Sequence, residues 1–237
     1  MYRLLLTEAL KLKRLPIVFV VLLSVIGLSI VVTLQSYFWK EEVMNSNGVF
    51  IMAVLNLFFP IVLLLGITIL SSMLVGLEDD ARTWKQLLAT TISKIKLYWS
   101  KIILIYGILF IMSLLIFVCM FIIWSIFVGP SKIVWELLFK QIFYPYFASF
   151  GVLSIQFFIS IFNRNQVFPL AIGLIGAISG SFLARSSLPF MHFAPWTYPS
   201  LATPLMNEAT KWAISGLLIG VIGTIFGAIL FSKKEVN

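Results

Sequence analysis

The class of fold is decided by residues 102–128, which read IILIYGILFIMSLLIFVCMFIIWSIFV and contain no charged side chain. A helix needs roughly 20 consecutive apolar residues to cross the hydrocarbon core of a bilayer, and this run is long enough. A chain in hydrocarbon must also satisfy its own backbone hydrogen bonds, which a helix does within itself. Residues 102–128 therefore predict a transmembrane helix.

Five more uncharged apolar runs occur along the chain. They are Pro16–Phe38, Gly48–Leu77, Ile142–Phe162, Val167–Ala184 and Trp212–Phe231. Charged residues make up 11% of the chain, whereas soluble domains contain about 25%. We therefore predict an all-α polytopic membrane protein, in which six transmembrane helices form a single transmembrane domain over residues 1–237.

The distribution of Lys and Arg predicts the orientation in the membrane. With six crossings both termini lie on one side, which then carries twelve Lys and Arg residues while the other side carries five. Cytoplasmic segments carry the excess of cations, so both termini are predicted to be cytoplasmic. The cations stand at the ends of apolar runs, which indicates contact with membrane lipid and not with nucleic acid. Residues 1–15, which combine leucines with cations, predict an N-terminal interfacial helix.

Small and polar residues within the predicted spans mark two candidate sites. Four glycines at helical spacing share one face of the last span: Gly216, Gly220, Gly223 and Gly227. Such a face lets another backbone come close, either within the chain or in a second copy of it. Asn56 and Gln156 have two possible roles, hydrogen bonding between helices or lining a substrate path.

The predicted outer segment, residues 185–211, differs from the other connections. Prolines at positions 189, 195, 199 and 204 break regular helix. Between them stand aromatic residues that favour the boundary between lipid and water. The composition predicts a re-entrant or interfacial segment.

The predicted cytoplasmic segment, residues 78–101, has the pattern of a short amphipathic helix. Its carboxylates, Glu78, Asp79 and Asp80, are expected to stand where this helix begins, near the positive end of its dipole. Trp84, Leu87 and Leu88 follow at i, i+3 and i+4 and form one apolar face. This face needs a partner, which is the membrane surface, the rest of the chain or a soluble protein.

Several kinds of chemistry lack their sequence motifs. The sequence contains no G-x-x-x-x-G-K-[S/T] loop, so the chain is not expected to bind ATP itself. No Asp or Glu lies in an apolar run, which argues against an ion relay. His192 is the single histidine, so we predict neither a metal site nor catalytic residues, and the chain is not expected to be an enzyme.

The cytoplasmic segment carries a resemblance to a known family. From Asp79 to Lys94 it has the form acid–acid–x–R–T–W–K–Q–L–L–A–T–x–x–S–K, and a basic stretch then leads into the third span. This pattern, with the basic N-terminus and six spans, resembles the permease subunits of ABC-2 type transporters. Within that family the chain is most similar to bacterial permeases for lantibiotic immunity and bacitracin resistance.

The resemblance implies a type V exporter-like architecture in a bacterial plasma membrane. Two permeases, either two copies or this chain with a paralogue, would join two cytoplasmic ABC ATPase subunits that bind ATP and magnesium. The coupling helix would span Glu78–Thr90. Its ATPase-docking residues would be Glu78, Asp79, Asp80, Arg82, Thr83, Trp84, Leu87 and Leu88.

The implied function is export of antimicrobial peptides or other amphiphilic or lipid-linked molecules. The alternative is a non-transporting membrane assembly or sensor subunit that docks a cytoplasmic partner. Both would have the same spans and the same docking segment.

The orientation can be tested by cysteine labelling in intact cells. A membrane-impermeant maleimide should label Ser46→Cys from outside, whereas Ser232→Cys should react only after the cells are opened. The physical basis is the excess of Lys and Arg on the side of the termini. External labelling of Ser232→Cys would contradict this topology.

Overall fold

A computed structural model describes residues 17–80, 93–163 and 165–233, with the backbone alone for residues 78–80. The helices in chain order are α1 (Ile17–Phe38), α2 (Lys40–Asn45), α3 (Val49–Asp80), α4 (Lys94–Phe127), α5 (Trp135–Phe162), α6 (Val167–Leu183), α7 (Tyr198–Leu201) and α8 (Ala209–Lys233). Short 3₁₀ turns cover Pro130–Lys132, Pro189–Phe193 and Pro195–Thr197. No strand occurs in these ranges, which confirms the all-helical fold class.

Five of these helices are long and apolar enough to cross a membrane: α1, α3, α4, α5 and α8. The sixth predicted crossing corresponds to α6, which is apolar but has only 17 residues. Spanning helices have about 17–25 residues, so α6 is at the lower limit of that range. Six apolar helices therefore form the polytopic fold, and the sixth is the shortest of them.

Burial differs sharply among the helices. In the most apolar window of each, 72% of the residues of α5 and 61% of those of α3 are buried, against 28% in α1. The exposed faces of α1, α4 and α8 carry large apolar side chains such as Phe19, Ile111 and Ile222. Exposed apolar surface of this kind suits contact with lipid chains. The helices α3 and α5 thus form the interior of the bundle.

The segment after α6 turns back into the bundle. Trp196 lies against α6 at Gly176 and Gly180, where an added Cβ atom would overlap its indole ring and its backbone carbonyl. These glycines precede the end of α6 by seven and three residues, so Trp196 reaches about 5–10 Å below that end. Residues 197–203 are buried, whereas Phe190 and Phe193 are exposed. The segment therefore has an exposed aromatic part and an inserted part.

Two predicted segments lie wholly or largely outside the described residues. They are the N-terminal residues 1–15 and the cytoplasmic segment between Asp80 and Ser93. Both remain predictions.

Replacing Gly176 by leucine should expel Trp196 from its seat on α6. We expect a destabilisation of about 1–3 kcal/mol, as for other overpacked sites. Chymotrypsin added to the outer face of membrane vesicles should then cleave after Trp196 faster than in the wild type. Gly107→Leu is the matched control, because an added Cβ meets nothing within 4 Å there. Equal cleavage rates in the two variants would contradict the inserted position of Trp196.

Candidate transmission helices and cargo path

The predicted docking residues stand in the last turn of α3 and in the segment that follows it. The structure places Glu78, Asp79 and Asp80 in the last turn of α3, so the expectation that they begin a separate helix is wrong. The reason is that no proline or other helix-ending residue separates Leu77 from these acids, so the helix continues past the apolar run. Arg82, Thr83, Trp84, Leu87 and Leu88 lie outside the described residues.

The two flanking helices are longer than a bilayer requires. With 32 residues in α3 and 34 in α4, their lengths are about 48 and 51 Å at 1.5 Å per residue, against about 30 Å of hydrocarbon. The first two turns of α4 carry Lys94, Lys96 and Lys101 before its long apolar run begins. The two helices can therefore carry a displacement from the aqueous side into the membrane.

The N-terminal end of α4, which is its inner end in the predicted orientation, is fixed to two other helices through Tyr98. The ring of Tyr98 is fully buried, and its centroid lies 5.0 Å from that of Phe157 on α5 and 5.8 Å from that of Phe231 on α8. Lys101, one turn further on, is only 1% exposed. Movement of this end of α4 would therefore displace α5 and α8.

A reciprocal tyrosine pair joins α4 to α5 further along the bundle. The hydroxyl of Tyr146 donates to the carbonyl of Tyr106 at 3.1 Å, and the hydroxyl of Tyr106 donates to the carbonyl of Tyr146 at 3.4 Å. Their rings stack with centroids 4.4 Å apart. The sequence reasoning missed this pair, since the two residues stand 40 positions apart and share no local pattern.

The glycine face of α8 packs against α5 within the chain. At Gly216 an added Cβ atom would overlap the backbone of Ala148. At Gly220 it would overlap Phe150, and at Gly223 it would overlap the side chain of Ser154. At Gly227 it would overlap the hydroxyl of Tyr98 on α4. Of the two alternatives left open by the sequence, the structure shows the contact between helices of one chain.

The two polar residues proposed for a substrate path do not share a site. Gln156 is fully buried near the inner end of α5, and its Nε2 donates to the carbonyl of Pro169 on α6 at 2.7 Å. Asn56 lies in the outer part of α3 and is 7% exposed. Its main-chain carbonyl oxygen accepts a hydrogen bond from Arg185 Nη2 at 3.4 Å. Gln156 therefore bonds two helices in this conformation, while the side-chain Oδ1 of Asn56 has no hydrogen-bond partner among the described residues.

Arg185 follows the end of α6, and its guanidinium donates to the main-chain carbonyl of Asn56. Its Nη1 donates to the carbonyl of Ser181 at 2.5 Å. Partial burial lowers the pKa of its guanidinium, but a group with so high an ordinary value stays protonated at neutral pH. The outer end of α6 therefore carries a permanent positive charge close to α3.

The described residues contain no group of three or more His, Cys, Asp or Glu side chains placed to hold a metal ion. The chemistry of the site is thus that of apolar surfaces, amides, hydroxyls and one guanidinium.

The six apolar helices of the described residues, of which α3 and α4 are longer than a bilayer requires, define a polytopic membrane protein. Residues 4–180 match the family described as ABC-2 family transporter protein. Because the match covers well over half of the chain, the protein belongs to this family of ABC transporter permease components. No curated protein and no solved structure matches the chain.

The family assignment supports three coarser points. The chain is a membrane permease component and not the ATPase, and the family works with an ABC ATPase. The matched residues end at position 180, before the outer segment and α8.

The glycine face can be tested by enlarging its members. Gly216→Leu or Gly220→Leu should destabilise the protein by about 1–3 kcal/mol, because the backbones of α5 and α8 would be forced apart. Leu218→Ala is the control, since Leu218 is 58% exposed on the opposite side. Thermal unfolding in detergent should rank the two glycine variants below this control. Three equal unfolding temperatures would show that the glycine face carries no close contact.

Proposed function

We propose that this chain is the permease subunit of an ABC exporter that removes antimicrobial peptides or other amphiphilic or lipid-linked molecules. The observation that carries the proposal is the unbroken path of contacts from α4 through Tyr98 into α5 and α8. Together with membership of the ABC-2 family, this path supports a subunit that converts movement of its cytoplasmic segment into rearrangement of its spans.

In the proposed complex, residues 78–90 dock onto a cytoplasmic ATPase that binds ATP and magnesium. Trp84, Leu87 and Leu88 enter the ATPase cleft, while Arg82 and Thr83 contact its rim together with the three acids at the end of α3. A second permease, either a copy of this chain or a paralogue, completes the pair. The complex lies in a bacterial plasma membrane with both termini of the chain in the cytoplasm.

An amphiphilic cargo is favoured by the character of the spans. Their exposed faces are apolar, and the apolar runs contain no acidic side chain that would bind a cation. A cargo with an apolar part can remain in the lipid while its polar part crosses along the few amides and hydroxyls of the bundle. The resemblance of residues 78–101 to lantibiotic-immunity and bacitracin-resistance permeases points to peptides within this class.

Trp84→Ala should uncouple the ATPase from transport. Loss of a large aromatic anchor from a partner's pocket costs about 2 kcal/mol or more, whereas rim charges contribute less. The reconstituted complex should therefore keep its inserted permease but lose stimulation of ATP hydrolysis by a peptide cargo. Trp39→Ala is the matched control, because Trp39 stands at the far end of α1 and is 54% exposed.

Crosslinking gives a direct measurement of the same contact. A photoreactive residue at position 84 should form adducts with the ATPase in the assembled complex. Adducts with lipid alone would remove the segment as the docking element. A complex whose ATPase docks at position 84 but never responds to or moves a peptide would favour the assembly or sensor role.

A further inference from the structure

Two contacts fix the register of α3 against α6. Thr68 of α3 meets Gly173 of α6, where an added Cβ atom would overlap its side chain. Twelve residues toward the outer end, the carbonyl of Asn56 meets the guanidinium of Arg185, which stands twelve residues after Gly173. The equal spacing shows that the two helices run antiparallel with Asn56 level with the outer end of α6.

The hydrogen bond between Gln156 of α5 and Pro169 of α6 gives the depth of α5 relative to α6 and α3. Pro169 precedes Gly173 by four residues, so Gln156 lies level with residue 72 of α3. Because α5 and α3 cross the bilayer in the same direction, Asn56 lies level with residue 140 or 141 of α5. Gln141 is therefore at the depth of Asn56, about 23 Å outward from Gln156 at 1.5 Å per residue.

Gln141 is buried without any hydrogen bond. It is fully buried, and neither its Oε1 nor its Nε2 has a partner among the described residues. Asn56 at the same depth is 7% exposed, and its Oδ1 is also without a partner there. Buried amides are normally paired, since leaving one unpaired costs free energy that a similar apolar side chain would avoid.

The comparison with Gln156 argues against a purely structural role for Gln141. Both residues lie on α5 and both are fully buried. The Nε2 of Gln156 bonds to the neighbouring helix while its Oε1 has no partner among the described residues, whereas both side-chain polar atoms of Gln141 lack a partner there. In this conformation a leucine would fill the position of Gln141 equally well. The amide group of Gln141 is therefore suited to a different conformation of the protein.

We propose that Asn56 and Gln141 form a polar cargo site that is closed in this conformation and opens toward the outer face beside Arg185. The site rests on the proposed exporter function, and the ligand class that it fits is the peptide main chain. A carboxamide offers two donors and one acceptor, so each of the two residues complements an N–H and a C=O group of a peptide. Arg185 marks the mouth of the site, because its side chain is partly exposed and donates to the main-chain carbonyl of Asn56.

Two glutamine variants separate a cargo site from a structural bond. The permease–ATPase complex is placed in nanodiscs of phosphatidylethanolamine and phosphatidylglycerol, and binding of fluorescent bacitracin is measured. Gln141→Leu should bind this peptide roughly tenfold more weakly, which corresponds to the loss of one or two hydrogen bonds. Its thermal unfolding temperature should equal or exceed that of the wild type.

Gln156→Leu is the matched control on the same helix. It should lower the unfolding temperature, because the carbonyl of Pro169 loses its donor. If Gln141→Leu binds the peptide like the wild type, or loses as much stability as Gln156→Leu, the cargo site is overturned.

A cysteine at position 141 tests the site without any cargo. In a Cys119→Ser background, Gln141→Cys should react with an external water-soluble methanethiosulfonate in at least one state among nucleotide-free, ATP-bound and vanadate-trapped complexes. No reaction in any of these states would overturn the opening. Reaction at this cysteine in a complex that binds no bacitracin would support the polar site and reject the peptide as its ligand.

Discussion

Hydrocarbon offers no hydrogen-bond partner, and this constraint governs both the backbone and the side chains of the protein. The described backbone is helical wherever it is apolar, because a helix satisfies its own amides and carbonyls. Several hydroxyl groups follow the same rule: Ser24, Ser125 and Thr224 each donate to a carbonyl one turn earlier in their own helix. Other buried hydroxyls, such as those of Ser36, Ser71 and Ser113, have no partner among the described residues, and Gln141 differs from them in that both polar atoms of its amide are unpaired there.

Helix association under this constraint depends on close packing, because lipid chains are as apolar as the side chains they would replace. The protein uses two glycine faces for it. That of α8 receives the backbone of α5, and that of α6 receives Thr68 and Trp196. The reciprocal pair Tyr106–Tyr146 adds hydrogen bonds that hydrocarbon cannot compete for. The result is one continuously packed bundle, in which α5 contacts α3, α4 and α8, and the inserted outer segment contacts α5 and α8 as well as α6.

The sequence was sufficient for the fold class and for the six apolar helices, because both follow from the lengths of uncharged runs. Helix ends were placed less well. The helix α5 begins at Trp135 and not at Ile142, since Glu136 and Lys140 pair with each other on its first turns, and α3 runs on through Asp80. Contacts between distant positions were not predictable: nothing local distinguishes Gln141 from Gln156, and only packing shows which one finds a partner. The predicted docking residues from Arg82 to Leu88 remain a sequence-based proposal.

The two ends of the bundle differ in the groups that join the helices, and this difference bears on the proposed site. The predicted cytoplasmic segment joins α3 to α4, so its displacement acts on both helices. Near the inner end a hydrogen bond from Gln156 to the carbonyl of Pro169 joins α5 to α6. At the outer end both polar atoms of the Gln141 side chain and the Oδ1 of Asn56 have no partner among the described residues, and the inserted outer segment is held there by contacts such as that between the rings of Tyr198 and Trp212. On the proposed function, a rearrangement of these outer contacts would make the two amides available to cargo.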